Sequence, residues 1–211
     1  MGVFILLEKK QKISILTVMN NHIHIYQEPN PVLRTQCTEI SLENISKKNT
    51  SAIITEMKQA LMESGDGVAI AAPQIGHSVR IFIVAGHIFD HLNNYHGTIK
   101  TPDKVFINPV IIKKGKVIKS MRGEGCLSVR FVYGTTKRYS EVSVKAYDES
   151  GKEFIMHGKG LLAQIFQHEI DHLNGVLFID HAHDIRKMEP VEQSEYEQEL
   201  ERMKQERMNL R

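Results

Sequence analysis

Apolar positions along the chain alternate between helical and strand periods, and the switches mark its elements. Over residues 50–63, Ile53, Ile54, Met57, Ala60 and Leu61 recur at helical spacing, with Thr50 or Ser51 as N-cap and Gly65 just past the end. Before it, residues 23–26 fit a short strand that Pro29 and Pro31 interrupt. The small-residue run 65–76 reads as a tight turn from helix to strand, 79–85 as a buried strand, and 87–104 as a polar surface loop. Two β-rich runs, 105–112 and 116–120, are separated by Lys113-Lys114-Gly115 and predict a hairpin. Val142, Val144 and Ala146 alternate with polar residues before an Asp148-Glu149-Ser150-Gly151 turn and Phe154, which predicts another. From Gly158 the chain is apolar and helix-permissive through Asn174, with Gly175 as cap. Beyond Pro190, Tyr196, Leu200, Met203 and Leu210 repeat at near-heptad spacing, a marginal amphipathic pattern expected to form a frayed, solvated tail.

The helix predicted from Gly158 carries His168-Glu169-Ile170-Asp171-His172, an HExxH pattern. On a helix the two histidines are an i,i+4 pair, about 5–6 Å apart at Cβ, which suits one metal ion. Glu169 then falls beside the ion's open face as a proton carrier. An amphipathic helix whose polar face merely carries two histidines remains an equal alternative until a third ligand is found. The histidine that ends HExxHxxGxxH in one group of zinc proteases is Phe178 here, which cannot bind a metal. His181, His183, Glu189 and Glu192 are formal downstream candidates. His87, His91 and His96 lack an acidic or sulfur companion and read as solvated loop residues.

Composition narrows the class. A chain of 211 residues with 41% hydrophobic and 25% charged residues is long enough for one full domain and is neither disordered nor fibrous. A net charge of +2 gives no field for direct reading of nucleic acid. Two cysteines, Cys37 and Cys126, are too few for a disulfide framework and leave a thiol free as ligand or nucleophile. The apolar run 3–7 is too short to span a membrane and has its lysines on the wrong side for a secretory signal, so neither a membrane nor an export signal is expected. Residues 1–21 read as an N-terminal extension that need not belong to the fold, with Met19 a candidate start; 22–185 form the catalytic domain, and 186–211 a charged tail with helical periodicity.

Three stretches, GVAIAAPQIG (67–76), EGCLS (124–128) and QHEIDHLNG (167–175), resemble in order the three motifs of the peptide deformylase family. The likeness also takes in EPNPVLR (28–34) and runs over about residues 22–182. It implies an α+β fold, mostly antiparallel β-sheets packed around a central helix carrying HExxH. It also implies a metal-dependent hydrolase that removes the N-formyl group from N-formylmethionyl nascent peptides and releases formate. By position, Cys126, His168 and His172 become the metal ligands, Glu169 the proton carrier, and the Gln74 side chain and Leu127 backbone N–H the oxyanion donors. Val68, Ala69, Gly125 and Leu161 match substrate-binding positions. The implied cofactor is one divalent ion, Fe2+ in the first place, with Zn2+, Ni2+ or Co2+ as alternatives. The implied compartment is bacterial cytoplasm or an organelle, with ribosome contact through the tail as a further expectation.

Four residues depart from the family pattern. Ala69 replaces a usual glycine, and either strains the backbone, if φ is positive there, or narrows the cleft. Arg130 stands where proline is common, and Arg122 and Gln164 where pocket residues are often apolar. Two other readings therefore stay open: a metallopeptidase cutting internal amide bonds, and a divergent homologue that binds without turning over.

Overall fold

The computed structural model describes residues 22–209. The expectations for residues 1–21, for Met19 as start and for Leu210 lie outside that range. Among the described residues, eight antiparallel strands form two sheets. The larger has the order β1-β2-β3-β6-β7: Ala69–Ala71, Ile81–Val84, Lys104–Lys114, Glu141–Tyr147 and Glu153–Lys159. The smaller has the order β4-β5-β8: Ile118–Cys126, Val129–Tyr139 and His183–Lys187. Five α-helices among the described residues accompany them: α1 (Leu42–Ile45), α2 (Lys48–Ser64), α3 (Gly86–Leu92), α4 (Leu161–Leu173) and α5 (Pro190–Asn209).

At its β1–β2 end the larger sheet is buried on both faces, which is why β2 reads as a continuous apolar run. Its side chains alternate. Ile81 and Ile83 join Ile70, Val105 and Ile107 under Ile54, Met57 and Leu61 of α2. Phe82 and Val84 join Phe106, Val144 and Ala146 under Leu162, Ile165, Phe166 and Leu173 of α4. Phe82 stacks on Phe106 at 4.4 Å between centroids, and Phe166 meets Phe106 edge-on at 5.1 Å, so three fully buried rings fix the height of α4 over the sheet. On its other side α4 meets β5, so the HExxH helix is clasped between the two sheets.

Several expectations change. The first proposed hairpin does not form: β3 pairs with β6 (Lys114 opposite Val142) and β4 with β5 (Ile118 opposite Tyr139). Lys113-Lys114-Gly115 is a turn, but it carries the chain from one sheet to the other. The second hairpin forms as β6–β7, with Tyr147 opposite Glu153. Residues 23–26 are no strand; the Tyr26 and Glu28 N–H groups donate instead to the carbonyls of Gln74 and Ser128, tying the N-terminal segment to the motif turns. α2 starts at Lys48, and Thr50 lies inside it, its hydroxyl donating back to the Asn44 carbonyl rather than capping. The small-residue run holds β1 and a 3-10 turn, Ala72–Ile75, and the polar loop opens with α3. Residues 158 and 159 belong to β7; Gly160, at φ 55°, turns the chain into α4. α5 is a helix with Leu200 buried, not a frayed tail.

Candidate active site

α4 places His168 and His172 one turn apart, with ring centroids 5.0 Å apart. The helix ends at once: Asn174 caps it and Gly175 follows at φ 74°, where a Cβ would meet the Arg34 carbonyl oxygen at 2.5 Å. The end of β4 brings in Cys126, whose Sγ lies 3.2 Å from His172 Nε2. One donor atom from each of Cys126, His168 and His172 lies within 4.8 Å of the others, and this is the one such metal-ready cluster among the described residues. His181, His183 and Glu192 are engaged elsewhere, with Asp171, Asp184 and Arg186 respectively, and the histidines of 87–104 form no such cluster.

The donor set fits a tetrahedral divalent ion with an open position: a sulfur and two imidazole nitrogens, partly or fully buried. His168 Nδ1 lies 2.8 Å from Glu124 Oε1. An ionised carboxylate only accepts, so Nδ1 carries the proton and Nε2 keeps its lone pair. Burial holds His172 neutral, its pKa well below the ordinary value. Burial acts the same way on His168, but its hydrogen bonds to Cys126 and Glu124 prevail and raise it, so a cation binding at Nε2 would displace a proton from that nitrogen.

Around this cluster lies a buried charge network in which sequence reasoning assigned no roles. The Glu124 carboxylate is 5% exposed and accepts from Thr136 Oγ1 at 2.6 Å, Gln164 Nε2 at 2.9 Å and the Arg138 guanidinium at 2.5 Å. Arg138 also donates to Asp171 at 2.5 Å. Burial opposes ionisation of Glu124, but the bonds to His168 and Arg138 outweigh it and hold its pKa well below the usual carboxylate range. The signal was present: Thr136 and Arg138 alternate on one face of β5, which puts a cation on the inward side.

Glu169 is 4% exposed, and its Oε2 has no hydrogen-bond partner among the described residues. Burial pushes its pKa up to about 7. Gln74 has one amide orientation, since its Oε1 accepts from the Ala71 N–H at 2.8 Å. Its Nε2 therefore faces Ser128 Oγ at 3.1 Å and Cys126 Sγ at 3.7 Å. Leu127 follows Cys126, its carbonyl held by Gln27 Nε2 at 2.8 Å.

Gln74, Glu124, Cys126, Leu127, His168 and Glu169 border a cleft of about 380 Å³ that Val68, Ala69, Gly125 and Leu161 also line. Ala69 lies in β1 and is not among the positive-φ residues, so its methyl narrows the cleft without backbone strain. Arg122 lines the cleft and is exposed, Gln164 is turned toward Glu124, and Arg130 is paired with Asp66 at 2.8 Å.

A family model described as polypeptide deformylase matches residues 22–188, most of the chain and all of this site. The chain belongs to the peptide deformylase family. It is 42% identical over 151 residues to a peptide deformylase of Halothermothrix orenii, covering 71% of this chain and 86% of that one. It is 36% identical over 191 residues to peptide deformylase 2 of Bacillus cereus, covering 84% and 97%. Among solved structures, a peptide deformylase from Synechococcus elongatus in complex with actinonin superposes with a TM-score of 0.63 at 32% identity, covering 82% of each chain. A class I type b peptide deformylase from Acinetobacter baumannii gives 0.65 at 28% identity, covering 76% of this chain and 99% of that one. As a peptide deformylase this chain is a metal-dependent hydrolase that removes the N-formyl group from formylated nascent peptides. No helix among the described residues is long and apolar enough to cross a membrane.

Proposed function

We propose that Cys126, His168 and His172 hold one divalent ion, Fe2+ in the cell, and that Glu169, Gln74 and Leu127 carry out the hydrolysis of formyl-methionyl peptides beside it. Bound there, the ion supplies Lewis acidity. The observation that carries the reading is the unpartnered Glu169 carboxyl oxygen, buried next to three converging metal donors. With a pKa near 7, Glu169 takes a proton from the attacking water and returns it to the leaving amine. The new C–O bond and the broken C–N bond leave formate and a free amino terminus. The formyl oxygen gains negative charge on the way, and Gln74 Nε2 and the Leu127 N–H donate to it. Val68, Ala69, Gly125 and Leu161 border the incoming methionyl peptide, and the methyl of Ala69 brings that wall closer.

The test is formate release from a formyl-methionyl peptide by anaerobically prepared ferrous protein, beside its Cys126→Ala variant. Release by the parent, with loss of both metal and activity in the variant, is expected. A variant that keeps both would favour a metallopeptidase with another ligand set, and no release by the parent would leave a binding homologue. Ribosome contact through 186–211 and a bacterial cytoplasmic or organellar location belong to the same proposal. α5 carries Glu192, Glu195, Glu197, Glu199, Glu201 and Glu206 against Arg202, Lys204 and Arg207, a sign opposed to phosphate contact. Co-sedimentation of full-length protein and residues 1–188 with ribosomes decides it, equal binding removing the tail.

A further inference from the structure

We propose that α5 is a wall of the substrate cleft, and that Tyr196 determines how the peptide beyond the formyl-methionine is held. This rests on the cleft being the peptide site. Tyr196 lines the same cleft as Gln74, Cys126 and Glu169, although it lies in a segment whose sequence reads as a solvated tail. Three contacts fix it there. Its hydroxyl donates to Asp66 Oδ2, which also accepts from Arg130 Nη1 at 2.8 Å. Its ring meets Phe131 edge-on at 6.3 Å between centroids. One turn on, Leu200 is 8% exposed and packs where a Cβ on Gly65 would come within 2.7 Å of it. Asp66, Arg130 and Phe131 all border the cleft themselves.

Phe131 adds an independent observation. It sits at φ 64°, a conformation that a bulky residue adopts only when its surroundings impose it. Its carbonyl accepts from the Met188 N–H at 2.8 Å, so the strained residue receives the chain just before α5 begins. Strand β8 pairs with β5 at Val132 and Tyr133, two residues that also line the cleft, and leads into α5. Arg130, which departs from the family pattern, is thus spent on Asp66 and helps dock α5 instead of presenting charge to substrate. The resulting wall is aromatic, with Phe131, Tyr133 and Tyr196 side by side, and suits apolar or aromatic side chains downstream of methionine.

The test is calorimetric binding of the tripeptide Met-Ala-Ser, its Met-Phe-Ser analogue and methionine amide to the metal-loaded full chain and to Tyr196→Ala and Tyr196→Phe. Tyr196→Ala is expected to weaken both tripeptides, Met-Phe-Ser by about five- to tenfold, and to leave methionine amide within about twofold. Tyr196→Phe, which keeps the ring, should lie between the variant and the parent. Equal loss for tripeptide and amide, loss for neither, or a parent that binds no tripeptide would overturn the proposal. Binding needs no turnover, so a failure of formate release is told apart from a failure here. Unchanged melting temperature and metal content in Tyr196→Phe show that the fold is intact.

Discussion

Arg138→Met isolates the worth of the cation behind His168, one of the proposed metal ligands. In the native chain the Arg138 side chain is 6% exposed and bonds both Glu124 and Asp171. Removing it leaves a Glu124 carboxylate, 3% exposed at its side chain, with Thr136, Gln164 and His168 but no cation that is always charged. Stranding one member of a buried pair costs about 3–5 kcal/mol. At about 2–4 °C per kcal/mol for a domain of this size, the melting temperature should fall by roughly 6–20 °C. Glu124→Gln removes the charge instead; it should weaken metal affinity about 10–100-fold, because the amide no longer fixes the His168 tautomer as a carboxylate does. The double variant separates the two effects: stability should recover much of the Arg138→Met loss, while metal affinity stays weak. Calorimetric melting and chelator competition with Co2+ read the two quantities. A double variant as unstable as the sum of the singles, or a Glu124→Gln protein that binds metal normally, would refute the reasoning.

Other outcomes follow from the same geometry. Glu169→Gln should lower kcat by about 10²–10⁴ with metal content unchanged, measured by formate release and metal analysis. Gln74→Ala should lower kcat by about 10²–10³, and Gln74→Glu should do no better, because a carboxylate facing Cys126 has no N–H to donate. Cys37 is 5% exposed, with its thiol pushed up to about 11 by burial, so it stays protonated and shielded at pH 8. Iodoacetamide should therefore alkylate Cys126 alone in metal-free protein and neither cysteine in metal-loaded protein, as peptide mass mapping would show.

The parts of the site that could be read from sequence are those set by local spacing. His168, Glu169 and His172 follow from one helical turn, and motif likeness added Cys126, Gln74 and Leu127 before any contact was known. The role of Glu124 stayed hidden although it sits two residues from Cys126, because its partners His168, Arg138 and Gln164 lie 44, 14 and 40 positions away. The misplaced hairpin has the same cause: a Lys-Lys-Gly turn is a local signal, while the partner of β3 is a strand 28 positions on, at Val142 for Lys114. Apolar alternation identifies a strand's buried face and leaves its neighbour open. α5 was hardest, because a glutamate-rich segment with four spaced apolar residues gives too little periodicity to reveal that Tyr196 and Leu200 both dock.

With the proposed ligand set, the clasp of α4 between two sheets makes the metal a partner in folding as well as in chemistry. Two donors come from the helix that rests on the larger sheet, and the third from the edge of the smaller one. An ion shared by them binds only when the two layers are docked, so each thousandfold excess over its dissociation constant contributes about 4 kcal/mol to holding them together. Losing the ion should loosen the smaller sheet before the larger, with amide exchange rising first in β4, β5 and β8. The centre proposed to read the formyl group would then also report whether its own two halves have closed.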